Sequence, residues 1–96
     1  MMEILFHVTT EAGARLLVPL ARACRRAGRG FGAFFTHEGV RGLADADLLA
    51  ALEGARAVAC EESWHRYRAS ARCPVELGSQ TVNSTLVGTA RRVVSL

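Results

Sequence analysis

The chain has no lysine: all twelve of its basic residues are Arg. They are dispersed, with small clusters at Arg25, Arg26 and Arg29, at Arg66, Arg68 and Arg72, and at Arg91 and Arg92. A nucleic-acid binder carries a denser basic stripe with interleaved aromatics, and aromatics here make up only 6% of the residues. No nucleic-acid partner is expected. Long apolar runs are missing too. The most apolar early segment, Leu16 to Ala21, is far too short to span a bilayer, so no membrane partner is expected. Strand-like sequence starts at Glu3 with no basic region before it, which is unlike a secretory signal. Cysteine is sparse and odd in number, at positions 24, 60 and 73. Those spacings match no zinc ribbon and no C-x-x-C pair, and at least one thiol stays free within a monomer. A reducing cytoplasm is the simplest compartment.

The familiar ligand motifs are absent as well. There is no G-x-x-x-x-G-K-[ST], and no G-x-G-x-x-G follows the first strand-like run. No G-x-S-x-G nucleophile elbow occurs. The three His form no i, i+4 pair and no H-E-x-x-H, so they do not indicate a metal site. The carboxylates are scattered and form no evident acid/base pair. No cofactor is expected.

What is present is an alternation of short apolar runs and helical segments. Glu3–Val8, Phe31–Thr36 and Ala57–Cys60 read as buried strands. Val75–Leu77 and Arg92–Leu96 read as two further strands. Between Glu11 and Ala27, apolar residues recur at three- and four-residue spacing and predict an amphipathic helix. Thr9 and Thr10 are its capping candidates. Pro19 predicts a kink or a delayed start, and Gly28 and Gly30 predict its end. Asp45 caps a helix over Ala46–Leu52. Shorter helices are predicted over Ser63–Ala69 and Thr81–Thr89. The stretch after the second strand, punctuated by Gly39 and Gly42, reads as a loop. This pattern predicts a single α/β domain over 1–96, with a mostly parallel five-stranded sheet between helical layers. The expected strand order is the flavodoxin-like 2-1-3-4-5.

In such a sheet, ligands bind outside the carboxyl ends of the strands. His7, His37, Cys60, Ser79 and Gln80 all fall there, which makes His7, His37, Ser79 and Gln80 candidates for a strand-end binding pocket. Cys60 is the sharpest candidate. It joins a buried strand to a helix, whose amino-terminal amides lower a thiol's pKa and favour the nucleophilic thiolate. Glu61 and Glu62 place negative charge nearby and oppose that effect. Cys24 falls on the apolar side of the first helix and reads as a core residue. Cys73 precedes Pro74 in a loop. Trp64 and Tyr67, three apart, read as packing residues.

Four stretches, in order, resemble the DsrE/DsrF/DsrH-like family, which includes the Tus sulfur-relay subunits. They are EILFHVTT, GFGAFFTHEGVRGL, ARAVAC and ELGSQTVNSTLVGTARRVVSL. The likeness lies in their order and spacing. It implies a small flavodoxin-like α/β sandwich. It also implies a persulfide carrier or transfer subunit without independent turnover, in which Cys60 accepts the sulfur. Sulfur donor and acceptor proteins, and homo- or hetero-oligomers with related subunits, are the partners it implies. One departure is visible. Family members with the active Cys often follow it with small residues and an Arg-Gly, whereas Cys60 is followed by Glu-Glu-Ser-Trp-His-Arg-Tyr-Arg. Two other readings stand beside this one: a non-catalytic oligomer-forming scaffold, and a small-molecule-binding domain of the same fold.

Overall fold

The apolar runs become strands because β-branched and aromatic side chains pack well on a pleated surface buried on both sides. The computed structural model describes residues 2–69 and 71–96. Its strands are β1 (Ile4–Val8), β2 (Phe31–Phe35), β3 (Arg56–Cys60), β4 (Glu76–Gly78) and β5 (Arg92–Ser95). Its α-helices are α1 (Glu11–Arg26), α2 (Ala46–Leu52), α3 (Glu61–Arg68) and α4 (Gln80–Thr89). The segment read as a loop after β2 is instead a 3-10 helix over His37–Ala44. It lies tightly on the end of β1. A Cβ at Gly39 would come within 2.3 Å of the Val8 carbonyl oxygen, so only glycine allows that approach.

Helix α1 begins where the Thr10 side chain accepts a hydrogen bond from the Gly13 amide at 2.8 Å. It ends in a Schellman motif. Gly28 takes the left-handed conformation at φ 68°, Arg29 N–H bonds the Cys24 carbonyl and Gly28 N–H bonds that of Arg25. Pro19 lies inside this helix, which nonetheless starts at Glu11, so the delayed start does not occur. Proline deprives the carbonyl four residues earlier of its donor, here that of Arg15. Both Pro19 and Arg15 are exposed, so the freed carbonyl lies on the wet side of the helix.

All five strands are parallel, in the order β4-β3-β2-β1-β5. The α/β sandwich is as expected, and the 2-1-3-4-5 order is not. Each of the first three crossovers steps to an adjacent strand in the same direction. The last, from β4 to β5, returns across the whole sheet. Right-handed connections therefore put α1, the 3-10 segment, α2 and α3 on one face and α4 on the other. The side chains agree. Phe6, Val8, Ala33, Phe35 and Ala59 pack with Leu17, Val40, Leu48 and Trp64 on the major face. Leu5, Phe34, Val58 and Cys60 pack with Leu86 on the minor face.

The order has a physical cause in β2. Its FGAFF sequence is buried along its whole length, which suits an interior strand. The 2-1-3-4-5 order would make it an edge. Strand β4, three residues long with an exposed Glu76, has the character of an edge strand.

Candidate functional site

Ligand crevices in open α/β sheets form where neighbouring strands send their following helices to opposite faces. In this strand order that occurs between β3 and β4. The chain leaves β3 toward α3 on the major face, and leaves β4 toward α4 on the minor face. Cys60 ends β3 and is in register with Gly78 at the end of β4. The 2-1-3-4-5 order would have put the crevice between β1 and β3, beside His7. The observed order instead brings Gln80 to the sulfur.

Cys60 is the N-cap residue of α3. Its side chain turns to the minor face and is 5% exposed. Gln80 Nε2 donates to Cys60 Sγ at 3.7 Å. Gln80 is itself oriented by Asn83, whose Nδ2 donates to Gln80 Oε1 at 3.4 Å. On the other side of the sulfur are Thr36 and Ser63, the buried polar side chains of the described residues. Their hydroxyl oxygens are 3.2 Å apart. Ser63 Oγ also accepts the His37 backbone N–H at 2.8 Å. His37 directs that N–H by adopting φ 50°, a left-handed conformation uncommon outside glycine. Strained residues of this kind cluster at functional sites.

These groups set the state of the thiol. Burial pushes the Cys60 pKa up. The Ser63 hydroxyl, the Ser63 and Glu62 amides and the Thr36 hydroxyl outweigh burial and bring it below its ordinary value. The amides act through the α3 amino terminus, although the sulfur forms no complete capping hydrogen bond to them. The opposition expected from Glu61 and Glu62 is not what governs this thiol. Both side chains are exposed, and Glu62 contributes its backbone N–H to the favourable side.

The other two thiols behave differently. Cys24 lies in the major-face core. Burial raises its pKa, and the Glu3 charge adds to the effect. Cys73 is half-buried. Burial raises its pKa as well, with partial opposition from the Val75 amide. All three are free.

The remaining sequence candidates are more scattered. His7 points to the minor face and stacks on Phe34, with ring centroids 5.9 Å apart. Strand β2 separates it from β3, a lateral distance of roughly 10 Å. Its pKa is lowered by burial and then by the charge of His37. The His37 side chain is exposed, and its backbone is what joins the Cys60 surroundings. Ser79 is the exposed N-cap residue of α4, and its side chain makes no capping bond. Trp64 is buried as a packing residue and donates Nε1–H to the Ala71 carbonyl at 2.9 Å. Thr36, Ser63 and Asn83 were not candidates from sequence. One signal was available: Gln80 and Asn83 are the chain's only Gln and only Asn, three residues apart on one helix.

Two hollows, of about 580 and 500 Å³, lie at the amino ends of the strands, remote from Cys60. Their cations already have partners. Arg25 donates to the Ala51 and Glu53 carbonyls, Arg29 pairs with Glu3 and Arg56 with Glu76. Among the described residues no three His, Cys, Asp or Glu side chains converge as a metal-binding group. None of the described helices is long and apolar enough to cross a membrane. In comparisons with protein-family models, with curated proteins and with solved structures nothing matches this chain.

Proposed function

We propose that this chain is a sulfur carrier of the relay type, with Cys60 as the acceptor of a sulfane sulfur. The observation that carries the reading is the polar surroundings of that one thiol. Cys60 alone of the three has a pKa brought down rather than up, and it stands where α3 and α4 part. The thiolate is the nucleophilic form of cysteine. In the loading step Cys60 Sγ attacks the terminal sulfur of a donor persulfide, R–S–SH. An Sγ–S bond forms, the donor's S–S bond breaks, and the donor leaves as R–S⁻. The product is a Cys60 persulfide, with no net oxidation. Attack on its outer sulfur by an acceptor thiolate completes the relay and restores Cys60. Three free thiols suit the reducing cytoplasm, which is where we place the protein.

The test is to incubate the protein with a cysteine desulfurase and cysteine, then map its peptides by mass spectrometry. The expected result is one added sulfur on the Cys60 peptide, absent in Cys60→Ala. No adduct, under conditions that load a known carrier, sinks the proposal. The low exposure of Cys60 favours one competing reading, a non-catalytic scaffold in which the thiol only packs. That reading requires Cys60 to resist alkylation in the folded protein, whereas the carrier reading requires it to be the fastest of the three.

A further inference from the structure

Six large apolar side chains stay exposed among the described residues; three of them, Leu16, Leu20 and Val94, lie at one corner of the major face, and Val93 stands beside them on the minor face of the same strand. Val93 and Val94 of β5 are 45% and 37% exposed, and Leu16 and Leu20 of α1 are 57% and 38% exposed. Gly13 shows that α1 reaches this corner, since a Cβ there would lie 2.5 Å from the Leu96 carbonyl carbon. Leu16 and Leu20 continue the Gly13 stripe at spacings of three and four, so they flank β5. Val94 is in register with Phe6 and so shares the major face with α1.

The backbone beside this patch is an open edge. Arg92 N–H bonds the Glu3 carbonyl and Leu96 N–H bonds that of His7. By the two-residue period of a strand, Val94 also turns its polar groups toward β1. Val93 and Ser95 turn theirs outward, without a neighbouring strand. Proteins blunt such edges with lysine, proline, bulges or a covering element. Here β5 has neither lysine nor proline, its one charged residue, Arg92, stands at the first position of the strand, and all four of its residues are exposed.

We propose that a second copy of this chain covers the edge, with the two β5 strands antiparallel about a two-fold axis at Val94. That register sets Val93 opposite the partner's Ser95 and uses every outward group, for about four backbone hydrogen bonds. A two-fold at Val93 would set Ser95 opposite the partner's Arg91, which lies outside the strand and whose N–H is already taken by the Glu3 carbonyl. The chosen register sets Arg92 opposite the partner's Leu96, so no cations face each other. The axis is perpendicular to the sheet, so the two major faces lie on the same side. Each Val94 then packs against its copy in a non-hydrogen-bonded pair, where side chains are closest. Leu16 and Leu20 of both copies close over them. Pairing β5 with the partner's β4 would be head-to-tail and would grow into a filament, whereas the two-fold arrangement is closed.

Sedimentation velocity at tens of micromolar is expected to show a dimer, and Val94→Glu to raise its dissociation constant at least about tenfold. Val87→Glu, on exposed α4, leaves it unchanged. Cysteine cross-linking reads the register directly. Val94→Cys places two Cα atoms about 4.5 Å apart and is expected to link the copies on mild oxidation, mapped to position 94. Val93→Cys places them about 9 Å apart, beyond the reach of a disulfide, and is expected not to link. A wild-type monomer, a dimer that Val94→Glu leaves intact, or equal linking at both positions overturns the proposal.

Discussion

On the major face four helical segments press against the sheet, and on the minor face there is one. Helix α4 is about 15 Å long and crosses a sheet about 19 Å wide. It buries Leu86 fully and Val82 and Ala90 in part. The major face buries residues from α1, the 3-10 segment, α2 and α3 in one continuous core. One face therefore serves as scaffold, and the thinner one holds the Cys60 sulfur under a single helix. A sulfur in the thick core would be inert, as Cys24 is expected to be. A sulfur on open surface would lose the fixed donors that favour its anion.

The largest expected effect tests that inequality with identical chemistry on each face. Leu17→Ala is expected to cost about 4 kcal/mol and Leu86→Ala about 2 kcal/mol, the upper and lower parts of the range for buried leucines. Denaturant unfolding at constant m-value measures both, and equal losses would break the comparison. Next comes the thiolate. Ser63→Ala removes a hydroxyl that favours the Cys60 anion. It is expected to slow Cys60 alkylation at neutral pH by roughly tenfold, the equivalent of one pKa unit. Cys24 and Cys73 supply internal controls in the same peptide map.

A smaller effect lies in the pH dependence of stability. Cys60 has a folded pKa below its ordinary value of 9.0. Wild type is therefore expected to gain stability over Cys60→Ser as pH rises from that lowered value to 9.0, and to lose the gain as pH falls again. Cys24 has its pKa raised, so its contribution has the opposite sign and is lost as pH rises above 9.0. Unfolding of Cys60→Ser up to pH 9.0, and of Cys24→Ser above it, checks both signs. The smallest effect belongs to the exposed pair of Arg56 Nε and Glu76 Oε1 at 2.9 Å. Arg56→Ala is expected to cost under about 1 kcal/mol, and to increase amide exchange at β4 more than elsewhere.

Local structure was largely legible in the sequence, because it depends on local spacing. Helix α2 occupies the predicted Ala46–Leu52, and the strand runs fall within a residue or two of their predicted limits. Strand order was not read correctly, since the same string of elements supports both windings. The evidence lay in the character of β2. A fully apolar FGAFF belongs in the middle of a sheet, and a charged three-residue β4 belongs at its edge. Cys60 was legible because a strand-to-helix junction is a local feature. Thr36 and Ser63 were not. They approach the sulfur from separate elements, and isolated hydroxyl residues carry no periodicity. The strand order also decided which candidates met: Gln80 reached the sulfur and His7 did not.

The return of the chain from β4 to β5 has a consequence for assembly. Strands β2, β3 and β4 each lie beside the one made before, so they can pair in the order they leave the ribosome. Strand β5 pairs with β1, and Thr9 bonds Leu96 across 87 residues. Until that last segment docks, β1 is itself a bare edge with the apolar sequence ILFHV. Such an edge is a template for wrong pairing, and contacts between distant parts of a chain form slowly. The newly made protein is thus most exposed to aggregation in the interval before its final strand arrives.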